Sequence, residues 1–375
     1  MRDTYGDAVT LTLFGESHGA AIGAVIEGVA AGTPVREDFL ASQMEKRAAR
    51  TKLSTARREP DKVRFLSGVK DGFATGTAIA LMIENTNTRS GDYAKTANLA
   101  RPGHADFTAQ AKYRGFQDAR GGGHFSGRLT APVVAAGAIF LDMLAAKGVC
   151  VATHLAQCGG VSDAPFSEDP AELRRQMAAL NAAEGPLAVL DAERGEEMRR
   201  AIEAAASEGD SVGGVLETVV TGLPAGLGEP FFTSVESKLA ALLFSMPAVK
   251  GVEFGAGFGF ASLRGSEAND AFIPRAGRIA TATNRNGGVN GGITNGMPLV
   301  MRTAVKPTPS IYKAQNTVDL ETGEPAVLRL EGRHDPCILP RARVVQDSLA
   351  AFGLVDLCAV ALGVRWQEDP IWSTV

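Results

Sequence analysis

A pattern near the start of the chain returns 190 residues later: Val25-Ile26-Glu27, Val29, Gly32 and Pro34 recur as Val215-Leu216-Glu217, Val219, Gly222 and Pro224. Two amphipathic strands can share such a pattern by coincidence. A glycine and a proline falling in phase after both argue instead for two related strand–turn–helix units. Each half then contributes a sheet, and an active cleft can draw on both.

Period and punctuation fill in those units. Ala8–Phe14 and Ala21–Val29 alternate as strands, and Phe39, Leu40 and Met44 recur at helical spacing. Val63–Val69 and Thr77–Glu84 read as strands around the Asp71-Gly72 turn, Ala131–Lys147 as a buried helix stopped by Gly148, and Val149–Gln157 as a strand. Asp169-Pro170 opens a helix with an N-cap residue and a first-turn proline. Asp191–Ser207, Phe232–Phe244 and a run ending near Leu362 are further helices, and Pro298–Val305 is a strand.

Glycine is the compositional excess, 43 of 375 residues, about 11% against a usual level near 7%. It implies many tight turns or close backbone approaches. A net charge of −4 gives no global basic field, which counts against nucleic acid and membrane surfaces as partners; anion selectivity must be local. The apolar window Ala131–Ala146 is interrupted by Asp142 and reads as too short to span a bilayer. Cys150, Cys158, Cys337 and Cys358 show neither C-x-x-C nor zinc-ligand spacing, and Met1–Gly19 has no signal-peptide pattern, so a reduced cytoplasmic protein is expected.

The chemistry concentrates in residues 101–130, which hold His104, His124, Arg101, Arg120, Arg128 and the Gly121-Gly122-Gly123 run, with almost no aliphatic material. Such a stretch is expected as a loop over a surface or lining a cleft. The glycines let backbone N–H groups approach a ligand, and the arginines offer bidentate donors to an anion. His18 sits in a similar polar loop, Gly15-Glu16-Ser17-His18-Gly19, whereas His154 falls on an ordinary strand. Lys46, Arg47, Arg50, Lys52, Arg57 and Arg58 form a basic run that is either a solvated face or a mobile lid over an anionic substrate. Residues 284–296 are a second glycine-dense loop, and no G-x-G-x-x-G opens a helix after a strand, so a Rossmann dinucleotide site is unsupported. Lys306-Pro307-Thr308-Pro309-Ser310, a lysine and two hydroxyls in a proline-fixed loop, suits a phosphate. Trp366 and Trp372 lie in a tail that reads as a strap on the body or on a partner subunit.

Seven short motifs in order resemble the chorismate synthase family over essentially the whole chain. They are Gly15–Gly19, Arg101-Pro102-Gly103-His104-Ala105-Asp106, Asp118–Gly123, Lys250-Gly251-Val252-Glu253, Gly287–Ile293, Lys306-Pro307-Thr308 and Arg333-His334-Asp335-Pro336-Cys337. The resemblance implies a single domain over residues 1–375, α/β in the α+β sense, a β-α-β sandwich of two antiparallel sheets with surrounding helices and an internal pseudo-repeat, assembled as a homotetramer. It also implies the activity: anti 1,4-elimination of phosphate and a ring proton from 5-enolpyruvylshikimate 3-phosphate, dependent on reduced FMN, with NADPH as an indirect reductant. By resemblance His18 protonates or hydrogen-bonds the flavin, His104 donates a proton to departing phosphate, and Asp335 works with the flavin in taking the ring proton. Ser17, Arg47, Lys52, Arg101 and Arg128 fall on substrate positions. His124, Phe125, Ser126, Pro247, Ala248, Gly291, Lys306, Pro307, Thr308, Pro309, Ser310 and Arg333 fall on flavin positions.

Two stretches depart from the family. His124-Phe125-Ser126-Gly127-Arg128-Leu129-Thr130 stands where Arg-Ser-Ser-Ala-Arg-Glu-Thr is common, and Ala48-Ala49-Arg50 replaces Arg-Pro-Gly in the basic run. Two other readings are a flavin oxidoreductase with a nicotinamide donor and a non-catalytic flavin or phosphate-binding protein. The missing dinucleotide fingerprint counts against the first. The presence of His18, His104 and Asp335 counts against the second, since binding alone needs no proton relay.

Overall fold

A computed structural model describes residues 3–48, 61–86, 98–183, 185–275, 277–330 and 335–366. Two five-stranded antiparallel sheets enclose a layer of helices. The first sheet is ordered β1 (Thr4–Tyr5), β2 (Thr10–Gly15), β3 (Ala21–Glu27), β7 (Ile79–Glu84) and β4 (Val63–Ser67). The second is ordered β9 (Val161–Ser162), β8 (Cys150–Cys158), β10 (Gly214–Thr221), β16 (Leu299–Val305) and β11 (Val249–Phe254). Four small hairpins complete the strands: β5 (Val69–Lys70) with β6 (Phe73–Ala74), β12 (Phe272–Arg275) with β13 (Arg278–Thr281), β14 (Val289–Asn290) with β15 (Ile293–Thr294), and β17 (Gln315–Val318) with β18 (Pro325–Leu328).

The repeat read from the sequence is a repeat of topology. In the first half β2, β3, β4 and β7 follow one another in the chain but lie in the sheet as first, second, fourth, third; β8, β10, β11 and β16 do the same. The matching segments are the central strands β3 and β10, and the glycines that follow them, Gly32 and Gly222, turn the chain at φ +85° and +86°. Helix α1 (Glu37–Arg47) joins the second and third strands of one half, and α6 (Val235–Ser245) joins those of the other. Each half closes with a long apolar helix, α3 (Thr130–Ala145) or α8 (Leu339–Leu362).

Those two helices pack on each other, α3 also against β3 and β7, and α8 against β8 and β10. The main helices therefore lie between the sheets, as a β-α-β sandwich requires. A helix in that position is apolar all round, and Leu339–Ala359 is buried on almost every side. The run Gly127–Ala145 and α8 are long and apolar enough to cross a bilayer by length and composition, and both are mostly buried inside the fold. The window expected to be too short is thus one turn longer, because Gly127–Leu129 continues it as a 3-10 turn. Outside the second sheet α4 (Pro170–Ala182) and α5 (Ala192–Ser207) pack on β8. Asp169 is the expected N-cap and accepts from the N–H of Ala171 and Glu172, and Asp191 caps α5 in the same way, accepting from those of Glu193 and Arg194.

Polar pins set the register. Thr303 Oγ1 donates to Gln346 Oε1 at 2.5 Å, Gln346 Nε2 to Thr218 Oγ1 at 2.8 Å, and Thr153 Oγ1 to Asp347 Oδ1 at 2.5 Å, fixing α8 on the second sheet. At the far end Asp356, fully buried, accepts from the backbone N–H of Asp7, Ala8 and Val9 at 3.0, 2.8 and 3.0 Å, and from Lys238 Nζ at 2.6 Å. One carboxylate on α8 thereby ties down the chain entering β2.

Candidate active site

A cleft of about 1300 Å³ opens between the two halves. Its apolar wall is supplied by Leu11 and Leu13 of β2, Val133 of α3, and Val345, Leu349 and Phe352 of α8. Pockets for one small ligand run to roughly 300–1,000 Å³, so there is room for two.

The central stretch 101–130 is not one loop. Asp106–Tyr113 forms α2, Arg120–Phe125 and Gly127–Leu129 form 3-10 turns, and Gly122, Gly123, Arg128 and Leu129 are buried. The glycine run is wedged between two histidines. A Cβ on Gly121 would lie 1.9 Å from His18 Cε1, and one on Gly122 would lie 3.3 Å from His104 Cε1. The backbone there approaches imidazole rings of the protein itself.

His104 lines the cleft, and its Nδ1–H donates to Asp106 Oδ1 at 2.8 Å. Arg101 clamps the same carboxylate through Nε (2.8 Å), Nη2 (2.7 Å) and its backbone N–H (2.9 Å). Burial pushes the Asp106 carboxyl up, but the hydrogen bonds from Arg101 and His104, with their charges, hold it well below the usual carboxylate range. An ionised Asp106 can only accept, which places the ring's proton on Nδ1 and leaves Nε2 as its other functional nitrogen. His18 and Ser17 lie behind Gly121 and outside the cleft lining. Ser17 Oγ is 3.0 Å from His18 Nδ1 and donates to the carbonyls of Arg120 and Gly121 at 3.2 and 3.3 Å.

The arginines offered to an anion are already matched by aspartates. Arg120 is bidentate to Asp118, and Arg47 and Arg128 share Asp61, with Arg47 Nη1 at 2.9 Å from Oδ2 and Arg128 Nη1 on Oδ1. Both of the latter line the cleft from buried positions. Arg47 also donates to Thr130 Oγ1 and the Gly127 carbonyl, and Arg128 to Asn85 Oδ1. Lys52 and Arg333 lie outside the described residues.

Of the flavin positions, His124, Phe125 and Ser126 line the cleft; His124 Nδ1–H donates to the Gly15 carbonyl at 2.9 Å. Pro247 and Ala248 line the opposite side, where Ala248 holds φ +75° and its carbonyl accepts from Lys306 N–H. Lys306, Thr308, Pro309 and Ser310 continue that strip; Lys306 Nζ donates to the Gly103 carbonyl. Thr308 Oγ1 is buried without a hydrogen-bond partner among the described residues. A phosphorylated, hydroxylated flavin side chain supplies such a partner, so the strip fits FMN. Pro307 is outside the lining, and Gly291 lies in the exposed turn between β14 and β15, away from it.

Asp335 also lines the cleft, and Arg341 Nη1, on the first turn of α8, donates to its Oδ2 at 2.7 Å. Sequence reasoning gave no site role to Arg341, to Asp61 or to the bulged Lys250, although Lys250 opens one of the family motifs. The only signal for the first was Pro340-Arg341-Ala342-Arg343 at a helix start, and the partners of Asp61 on α1 and in the 3-10 turn are fixed by tertiary structure.

The family model for chorismate synthase matches residues 9–359. The chain is 48% identical to a chorismate synthase of Thermococcus gammatolerans over 351 residues, 94% of this chain and 96% of that one. It is 46% identical to that of Chitinophaga pinensis over 355 residues, again 94% and 96%. A crystal structure of chorismate synthase superposes with a TM-score of 0.77 at 27% identity, covering 99% of both chains.

Proposed function

Because the chain belongs to the chorismate synthase family and is thus a lyase forming chorismate from 5-enolpyruvylshikimate 3-phosphate, we propose that this cleft performs the elimination with reduced FMN as cofactor. One observation carries the reading: His104 with its Asp106–Arg101 clamp, Asp335, and the Lys306–Ser310 strip converge on a single cleft large enough for two ligands.

Reduced FMN, when bound, supplies the electron density that makes an allylic phosphate leave. The protein positions and neutralises. Lys306, Thr308 and Ser310 would hold the cofactor's phosphate and hydroxyls, and Pro247, Ala248 and Phe125 would line the site for its ring. Arg47, Arg101 and Arg128 face the substrate anions, their charge tempered by Asp61 and Asp106 so that the empty cleft does not carry an unbalanced field. His104, oriented by Asp106 through Nδ1, delivers a proton from Nε2 to the departing phosphate. Asp335 accepts the ring proton. Ser17 keeps His18 packed against Gly121 of the cleft wall, so His18 supports the backbone that the ligands meet. The assembly is a homotetramer in the cytoplasm, with flavin reduced by an outside donor or by NADPH.

The test is an anaerobic assay of purified protein with substrate and, in separate arms, pre-reduced FMN, oxidised FMN, and NADPH with oxidised FMN. Equimolar chorismate and phosphate in the first arm is expected, and product in the third adds an intrinsic flavin reductase. No product in any arm, with flavin bound, overturns the reading in favour of a binding protein. His104→Ala is expected to lower turnover by roughly two to four orders of magnitude while flavin binding persists. Sedimentation at four chain masses checks the assembly.

A further inference from the structure

Every arginine–aspartate contact in the cleft wall but one joins groups that bind or orient. The exception is Arg341 with Asp335, since its carboxylate is the group read here as taking the ring proton. Both side chains are largely buried, 23% and 15% exposed, and both line the cleft. The segment between them is held on every side. The Pro336 carbonyl accepts from Val212 N–H at 2.9 Å, Cys337 is fully buried with its Sγ 3.6 Å from Cys158 Sγ, and the N–H groups of Arg341 and Ala342 both donate to the Ile338 carbonyl. Arg341 therefore stands on a helix start that cannot move independently of the loop carrying Asp335. A planar guanidinium on such a base fixes the direction of the carboxylate as well as its charge.

We propose that Arg341 is a positioning residue for the elimination: its Nη1–H holds Asp335 Oδ2 so that the carboxylate is aimed at the ring hydrogen the substrate loses. The inference rests on the reading of Asp335 as the proton acceptor. The C–H bond breaks and the proton passes to the carboxylate; the electron pair left behind forms a ring double bond at the carbon that lost the proton, and the ring's original double bond shifts onto the carbon that phosphate leaves with its own bonding pair. The cleft lining shared with Asp335 includes Arg47, Asp61, Arg101, His104, Arg128 and Lys306 among its charged and titratable groups, and next along its own loop lies the buried Cys337 thiol, which the Cys158 contact and burial, with the Asp335 charge, push well up. The bond described to Asp335 comes from Arg341.

The experiment is a double-mutant cycle of Arg341→Gln and Asp335→Asn in the full chain with pre-reduced FMN, read by kcat, KM and the isotope effect with substrate deuterated at the carbon that loses its proton. R341Q is expected to lower kcat roughly 10- to 100-fold, the cost of misplacing a reacting group by about an ångström. Substrate KM and flavin affinity should stay within about threefold, and the deuterium effect on kcat should rise. In the D335N background R341Q should have no further effect. Arg341→Lys, which keeps the charge but not the fork, should fall between wild type and R341Q, and it carries the test should R341Q not fold. A change in KM alone, or an undiminished effect of R341Q in D335N, overturns the proposal by making Arg341 a substrate anchor. Should D335N itself remain fully active, the underlying reading of Asp335 has failed instead.

Discussion

A methyl group on Gly121 would meet His18 Cε1 at 1.9 Å, on a backbone whose φ of +59° costs an L side chain about 1–2 kcal/mol. Gly121→Ala must push the imidazole or the cleft wall aside, and a misplacement near an ångström transmitted to the reacting groups is worth about a hundredfold in rate. We expect kcat/KM to fall by about that factor with Tm only modestly lower; turnover close to wild type would mean His18 takes no part. Asp106 makes a prediction with a sign. Its carboxyl is depressed in the folded protein, so it contributes stability that is present above the unfolded value near 4 and lost as pH falls through the folded one. Wild type should exceed Asp106→Asn by on the order of 2 kcal/mol at pH 7, with the gap closing in strong acid, as read by urea unfolding across pH. The short motifs made His18, His104 and Asp335 legible as candidates. What they could not show is that each cleft arginine already has an aspartate, because Asp61 lies 67 residues from Arg128 and meets it only through the fold.

Among the elements, β8 carries a histidine that the function does not use. His154 is buried on the outer face of the second sheet, Nδ1 at 2.7 Å from Asp163 and Nε2 at 3.1 Å from Glu217. Burial lowers its affinity for a proton, but the hydrogen bonds and charges of the two carboxylates outweigh that and leave it raised. Its contribution to stability is complete below the unfolded value near 6.5 and is lost as pH rises through the folded one. Wild type should therefore weaken from pH 7 towards pH 9 in urea unfolding, and His154→Gln should flatten that slope; equal slopes would remove the ion cluster as a stabilising device. The strands and most helices were legible from alternation, caps and glycine stops, down to the N-cap Asp169. Helix α2 was not: eight residues with only Ala109 buried give too little apolar period, and the charged context of Arg101–Asp106 reads as loop.

For the whole molecule, the repeat of two central strands was enough to expect two sheets, and the conserved strand order extends it to the full halves. Apolar periodicity alone is silent on where the helices go, since it gives a buried face but not which sheet covers it. We propose that the chain is one cooperative domain, because α3 and α8, from opposite halves, are each other's main helical partner. Calorimetry should show one transition whose calorimetric and van't Hoff enthalpies agree; two separable transitions would divide the chain at its repeat. The Asp356 clasp has a consequence for synthesis. The amide groups of residues 7–9 wait for a carboxylate made nearly 350 residues later, and the first sheet waits as long for α8 to back the helix beneath it. An emerging chain can pair β2 with β3 early, but its native N-terminal half is completed only once α8 has been made.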